Sequence, residues 1–337
     1  MHFSLFLFAT TAILVVNGAP ECPPSRSSIE LALEEAHISG IVAIVVNSDS
    51  ILYDQAFGYQ SPAVTNPHLP MSSSNSIFVI ASISKTLIAY AAMQLVEFQQ
   101  LDLDKDINMY LSSLPRIAHP VHPGVIITMR NVLSHMTSIG PNFDEELKEM
   151  YLPGDDFTRT NLSDVIYKFA GNASDWFYIP HFSLSNYPSG LLRMSGRTLA
   201  IFLQSFLKDG FPLLKQKSSM DEILHVYGRQ SQPPEADAEY GLIWTWLQSG
   251  QRHLIGHRGS LPGFTNSMMA NENRTIGVIL LTNGDITRGD ADAMRVYQAS
   301  TSIMTQLFDC FDTNECGKIR SSLDVLLITF FLFLFNY

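Results

Sequence analysis

Apolar and polar positions fall into three regimes along the chain. Residues 27–37 set Ile29, Leu31, Leu33 and Ala36 among glutamates at helical spacing, which predicts a surface helix. The apolar runs 40–46 and 51–58, separated by Asn47-Ser48-Asp49-Ser50, predict a β-hairpin. From residue 76 to about 217 the pattern is mainly helical, interrupted by loop signals at Leu101-Asp102-Leu103-Asp104 and at His119-Pro120-Val121-His122-Pro123-Gly124. Strand patterns return at 240–247, 253–259, 264–269 and 275–282, with turns at Ser249-Gly250, Pro262-Gly263 and Asn271-Glu272-Asn273, and a last helix is predicted over 291–308. Strands at both ends with helices between them predict an α+β fold. One antiparallel sheet is built from the two chain ends, flanked by N- and C-terminal helices, and an all-helical lobe is inserted between them. The expected domain covers 26–310, with a sheet lobe of 26–75 and 240–310 and a helical lobe of 76–239.

The two extremes of the chain carry different signals. Residues 3–16 are an apolar run too short to span a bilayer, followed by Val16-Asn17-Gly18-Ala19, so 1–19 reads as a secretory signal peptide. Residues 325–335 form a second apolar run, preceded by a polar spacer at 318–324 and small residues around 314–317. Signal, small-residue site, spacer and terminal tail (318–337) together read as a glycolipid (GPI) anchor signal; a tail lying in the membrane interface is the alternative. The sequons at Asn161, Asn172 and Asn273 are glycosylation acceptors for an exported chain. The expected location is therefore the secretory pathway and the cell surface or exterior, with membrane attachment through the tail.

Composition narrows the function classes. A chain of 337 residues that is 46% hydrophobic and 16% charged can bury a large core. Its net charge of −11 argues against a nucleic-acid partner or electrostatic binding to an anionic membrane. Its three cysteines have no ligand-like spacing, so neither zinc nor any other metal or cofactor is expected. Cys22 can pair with Cys310 or Cys316 if the chain ends meet, leaving one thiol over.

The chemistry is concentrated in Phe78-Val79-Ile80-Ala81-Ser82-Ile83-Ser84-Lys85-Thr86-Leu87. Ser82 and Lys85, three residues apart at the mouth of an apolar helix, lie on one helical face. A serine hydroxyl needs a base within hydrogen-bond reach, and a desolvated lysine can serve. Free N–H groups at a helix start also stand where an oxyanion would develop. The competing reading makes Ser82 a helix cap and lets Lys85 reach out to solvent. Spacing alone does not decide, because Ser205-Phe206-Leu207-Lys208 repeats it. What sets the first pair apart is the run from Thr86 to Val96, apolar nearly all round, as in a helix at the centre of a domain.

Four stretches, in this order, resemble the serine beta-lactamase-related superfamily, in particular its class C beta-lactamase, D-alanyl-D-alanine peptidase and esterase branch. They are Ile80-Ala81-Ser82-Ile83-Ser84-Lys85-Thr86, Gln94-Leu95-Val96-Glu97, Ile127-Thr128-Met129-Arg130-Asn131-Val132-Leu133-Ser134-His135 and Gly256-His257-Arg258-Gly259-Ser260-Leu261-Pro262-Gly263-Phe264. The resemblance implies that Ser82 is the acylated nucleophile and Lys85 its activating partner. It implies that His257-Arg258-Gly259 replaces a Lys-Thr-Gly triplet on the strand lining the cleft, with His257 supplying a hydrogen bond or a positive charge. The backbone N–H groups of Ser82 and of Ser260, which follows Gly259, are implied to form the oxyanion hole. His135 is expected to be structural.

The superfamily's Tyr-x-Asn motif has no counterpart. The nearest string is Leu184-Ser185-Asn186, and the segment Tyr187-Pro188-Ser189-Gly190-Leu191-Leu192-Arg193-Met194-Ser195 resembles one that normally follows the motif, so the block holding it reads as deleted between about 151 and 181. Tyr151, Tyr167, Tyr178 and Tyr187 are the phenols nearest the gap. Two functions are consistent with this. One is an exported serine hydrolase that cleaves a small-molecule or peptide ester or amide through an acyl-enzyme on Ser82, with impaired turnover. The other is a non-catalytic relative that holds a peptide or acylated ligand in the remnant cleft.

Overall fold

The computed structural model describes residues 22–60, 68–111, 115–139, 150–151, 183–184, 189–230 and 238–312. The signal-peptide and tail readings, Asn161 and Asn172, and Tyr167, Tyr178 and Tyr187 lie outside them.

Strand β1 (Gly40–Val46) is buried at every position, which explains why its sequence is a continuous apolar run rather than an alternating one. Its even-numbered residues Val42, Ile44 and Val46 enter one core and its odd-numbered residues Ile41, Ala43 and Val45 another. β1 pairs antiparallel with β2 (Ile51–Gly58) on one side and with β12 (Gly277–Thr282) on the other, so the first hairpin is fused to the end of the domain. From β12 the sheet continues through β11 (Phe264–Asn271), β10 (Arg252–Leu261), β9 (Thr245–Ser249) and β8 (Ala238–Tyr240) to β7 (Gly228–Gln230), eight strands in the order β2-β1-β12-β11-β10-β9-β8-β7. All neighbours are antiparallel.

One face of the sheet is covered by α1 (Arg26–Glu35) and α6 (Ala291–Phe311). Cys22 is disulfide-bonded to Cys310, with their Cα atoms 5.3 Å apart, so the start of the domain is tied to its last helix. A covalent loop with a sequence separation of 288 residues stabilises by restricting the unfolded chain, on the order of 5 kcal/mol by loop-closure entropy. Nearby, Arg252 is buried on an ion pair with Asp312 (3.0 Å) and a second with Asp309 (2.9 Å).

The opposite face packs on α2 (Ser84–Glu97) and α4 (Gly196–Leu207), around Trp244, whose ring stacks on Phe206 at 3.8 Å. The two-residue strand β3 (Phe78–Val79) leads into α2; between α2 and α4 the chain contributes α3 (Met129–Leu133) and the two-residue strands β4 (Met150–Tyr151), β5 (Ser183–Leu184) and β6 (Arg193–Met194), and α5 (Lys217–Ile223) follows α4. The both-ends sheet with flanking helices is as expected from the sequence.

Two expectations are corrected. The segment 76–217 is not mainly helical among the described residues: 98–128 runs as loop with one 3-10 turn, held by side chains such as Asn108, which bonds the backbone of Ile117 at 2.7 and 2.9 Å. The run 240–247 is not one strand but two, β8 and β9, broken at Gly241–Trp244. Ile243 there adopts a positive φ of 69° and its N–H bonds Leu133 O, while that of Leu242 bonds Ile223 O. Leu242, Ile243 and Trp244 are apolar because they plug the core, and along the sequence that looks the same as a strand.

Candidate active site

The site begins with a short strand and a strained turn. β3 pairs with β6, and buried Asn266 of β11 donates from Nδ2 to Val79 O (2.8 Å) while its Oδ1 accepts from Thr282 N (3.1 Å). Ile80 N–H then bonds Leu192 O at 2.9 Å. Ala81 follows with φ of +49°, a left-handed conformation that costs a non-glycine residue on the order of 1 kcal/mol, and it is fully buried. The chain passes through a single 3-10 turn, Ala81–Ile83, and only at Ser84 becomes α-helix. Ser82 therefore stands on the turn leading into α2 and is not its cap; no side chain caps this helix.

On that turn Ser82 Oγ accepts a 2.8 Å hydrogen bond from Lys85 Nζ, which also donates to Ser189 O at 2.7 Å. Both side chains are part-buried. Lys85 does not reach out to solvent: two oxygens fix its amine against the hydroxyl. The Ser189 contact comes from the segment after the missing motif, which returns to α2 where Leu192 N–H bonds Ser84 Oγ (3.3 Å).

β10 supplies the facing wall because it outgrows its neighbour. Its pairing with β9 covers Arg252–Gly256 and stops, whereas its pairing with β11 runs from Leu254 to Leu261. Among the described residues the segment from His257 onward therefore has no strand partner on the β9 side, and the Ser82 turn sits there. A Cβ on Gly259 would lie 2.6 Å from Ile80 O, 2.9 Å from Ser82 N and 3.0 Å from Ala81 Cβ. Only glycine lets the strand come this close. Alternation turns Arg258 to the α6 face, where its guanidinium bonds Tyr297 Oη at 3.3 Å and lies over the ring; Ser260 is on that same face, so only its backbone can serve the Ser82 side.

His257 Nδ1 is bonded to Arg258 O, and because a carbonyl only accepts, Nδ1 carries the proton and Nε2 is the open acceptor. Desolvation by the surrounding protein is the main influence on its pKa; the Arg258 carbonyl opposes it, and Lys85 and His135 reinforce it. The result is a pKa lowered to about 4. Of the two roles expected for His257, a hydrogen bond and a positive charge, the neutral ring at pH 7 supports the first.

Ser82, Lys85 and His257 line one open cleft of about 510 Å³ together with His135, Arg229 and Tyr240. His135, expected to be structural, is thus on the cleft, and so is Tyr240, whose ring lies edge-on to it with centroids 6.2 Å apart. Crowding by the cleft walls, and secondarily the Lys85 ammonium, hold the pKa of His135 below its ordinary value although the residue is exposed. Asn266 and Ser189 were not singled out in the sequence; a Thr265-Asn266-Ser267 triplet inside an otherwise apolar strand was the available signal. Asn273 is exposed on the β11–β12 turn, beyond the end of β11 away from Gly259. Leu184 is described only as backbone in β5, and the rest of the nearest Tyr-x-Asn string lies outside the described residues. No group of His, Cys, Asp and Glu among the described residues is arranged to hold a metal ion.

This geometry agrees with what the chain is similar to. A family model described as Beta-lactamase matches residues 26–161 and 153–302. The two matched segments overlap at residues 153–161, within the stretch where the Tyr-x-Asn block reads as deleted. Over 110 residues, 32% of this chain and 26% of the relative, the sequence is 31% identical to Esterase EstB of Burkholderia gladioli. A second curated relative, PbpX of Bacillus subtilis, is 25% identical over 212 residues, 58% of this chain and 49% of the relative, so the chain spans at most about half the length of either. A class C beta-lactamase from Rhodobacter sphaeroides shares the fold with a TM-score of 0.57 at 16% identity, covering 84% of this chain and 99% of that one. D-amino acid amidase from Ochrobactrum anthropi SV3 does so with a TM-score of 0.55 at 17% identity, covering 83% and 97%. With its Ser-x-x-Lys pair, its strand-edge His-x-Gly and a family match over most of its length, the chain belongs to the serine beta-lactamase-related family.

Proposed function

We propose that the protein is an exported acyl-transferring serine hydrolase, with Ser82 as nucleophile and Lys85 as its base. The observation that carries this reading is the 2.8 Å contact between Lys85 Nζ and Ser82 Oγ, with the amine held from behind by Ser189 O. In the reacting state the neutral amine keeps its bond to Ser189 O and takes the Ser82 proton along the same contact. Oγ then bonds to the carbonyl carbon of an ester or amide. The carbonyl oxygen becomes an oxyanion facing the backbone N–H of Ser82 and that of Ser260, and the leaving group departs with the proton held by Lys85. His257 Nε2 accepts a hydrogen bond from the substrate beside the scissile group. An open cleft of about 510 Å³ suits a small ester or a short acylated peptide. Without the family's tyrosine, turnover is expected to be slow, since general acid–base help is worth about 10²–10⁴ in rate.

Two observations support export. The Cys22–Cys310 disulfide belongs to an oxidising compartment, and the Asn273 sequon is exposed on a hairpin turn. Removal of N-glycans should lower the mass of protein expressed in a secretory host, and Asn273→Gln should remove part of that difference. Release from cells by a glycolipid-cleaving phospholipase tests the tail.

The deciding experiment is intact-mass analysis after incubation with a fluorophosphonate and, separately, a penicillin, beside Ser82→Ala and Lys85→Ala. One adduct per chain, absent in Ser82→Ala and slowed in Lys85→Ala, is expected. A folded wild-type protein with no adduct would sink this reading and leave the cleft as a binding site for a peptide or acylated ligand.

A further inference from the structure

An acyl-enzyme on Ser82 has to be hydrolysed, and the hydroxyl-bearing side chain that serves the family at this step has no counterpart in the sequence. We propose that His135 is the base that activates water for deacylation; this rests on the reading of Ser82 as the acylated residue.

Three features of the structure point to it. The imidazole lines the cleft that contains Ser82, Lys85 and His257, and it is exposed, so water reaches it. It is held on a rigid platform. His135 follows the last turn of α3 in a left-handed conformation, φ 58°, which histidine tolerates better than most residues and which sets the direction in which its side chain leaves the helix. The turn is pinned by Ile243 N–H on Leu133 O (2.6 Å), Met136 N–H on Asn131 O (2.8 Å) and buried Ser134 Oγ on Arg130 O (2.7 Å). Arg130 is clamped in turn by Asp104 through Nε (2.6 Å) and Nη2 (2.7 Å) and by Glu222 and Tyr227 through Nη1.

The third feature is the division of labour among the groups facing this cleft. Once Ser82 Oγ is an ester oxygen it only accepts, so Lys85 donates to it and to Ser189 O. His257 spends its proton on the Arg258 carbonyl and its Nε2 lone pair on the substrate. Tyr240 of β8 meets His135 edge-on, and Arg229 of β7 is paired with Glu239 at 2.6 Å. Desolvation by the cleft walls, with a smaller contribution from Lys85, disfavours a charged His135, so the ring is neutral, with a lone pair, at pH 7. In the proposed step the water O–H bond breaks and its proton goes to His135, while the hydroxide bonds the acyl carbon. The imidazolium then passes its proton to the Lys85 amine, which acylation leaves neutral, and as the C–Oγ bond breaks Lys85 delivers that proton to Oγ. The products are free acid, neutral imidazole and Ser82.

The test is burst kinetics with a p-nitrophenyl ester, with intact mass followed in time, on wild type, His135→Gln and His135→Asn. Asparagine tolerates the left-handed backbone and so separates strain from chemistry. Acylation of Ser82 within about threefold of wild type is expected, with deacylation slowed about 10²-fold or more in both variants and acyl-enzyme accumulating. The wild-type deacylation rate should fall as pH drops below about 6.5, and this dependence should vanish in both variants. Deacylation unchanged in variants whose Ser82 acylates normally would overturn the role of His135 alone. No acyl adduct on wild-type Ser82 would overturn the nucleophile reading and this proposal with it.

Discussion

Two Ser-x-x-Lys pairs, Ser82/Lys85 and Ser205/Lys208, have the same spacing and opposite fates. The first lies where a turn enters a helix, and its amine and hydroxyl bond each other at 2.8 Å in a cleft. The second lies where α4 ends. There Ser205 is buried and donates to Gly210 O at 2.8 Å, while Lys208 pairs with Asp49 at 3.3 Å on the surface. The end of the helix makes the difference. A helix entrance presents free N–H groups and a partial positive charge, which suit a developing oxyanion, and a helix exit presents carbonyls, which consume hydroxyl protons. Spacing puts a serine and a lysine on one face; position in the fold decides whether they meet.

Exchanging the two serines is the strongest way to break this comparison. Ser82→Ala should abolish fluorophosphonate labelling and ester turnover, whereas Ser205→Ala should leave labelling intact and cost about 1 kcal/mol of stability in denaturant melts. Lys85→Ala should slow acylation by about 10²–10⁴, while Lys208→Ala, which removes an exposed ion pair, should change stability by less than about 1 kcal/mol and the rate not at all. Next comes the strand that faces only the first pair. Gly259→Ala forces a methyl to within 3 Å of the backbone atoms Ser82 N and Ile80 O, and should lower the acylation rate by about 10-fold or more together with a loss of about 1–3 kcal/mol of stability. Asn266→Ala leaves Val79 O and Thr282 N without their buried partner, an expected loss of about 1–3 kcal/mol accompanied by slower labelling.

The smallest effect concerns pH. The folded pKa of His257 is about 4, below its ordinary 6.5. Between those values the unfolded chain binds the proton and the folded chain does not, so stability is full above 6.5 and falls as pH drops toward 4. This contribution is at most about 3 kcal/mol, and less because the ring keeps some contact with water. In His257→Gln the slope of stability against pH in this window should flatten; an unchanged slope would show that the ring is not desolvated.

The sequence by itself determined a good deal. Apolar runs bounded by turn residues, and helical patterns, located the first hairpin, the strands from about residue 252 onward and both flanking helices, because each of these elements buries one or both of its faces and so writes its burial into the residues. The nucleophile stretch and the strand-edge triplet were legible as short strings. Patterning could not reveal that Gly241–Trp244 is a plug between two strands, since a residue is apolar for being buried, whatever its backbone does. Nor could it show that the described residues of 98–128 stay loop between the signals at 101–104 and 119–124: Asn108 and its neighbours replace secondary structure with side-chain bonds that leave no period.

Tertiary structure alone decided the rest. It chose between two identical spacings and paired Cys22 with Cys310. It brought Ser189, a residue 104 positions from Lys85, to hold the amine. It kept His257 neutral and placed His135 on the cleft. All of these depend on which atoms approach across long sequence separations, and distance, desolvation and shared solvent arise only when the chain is folded.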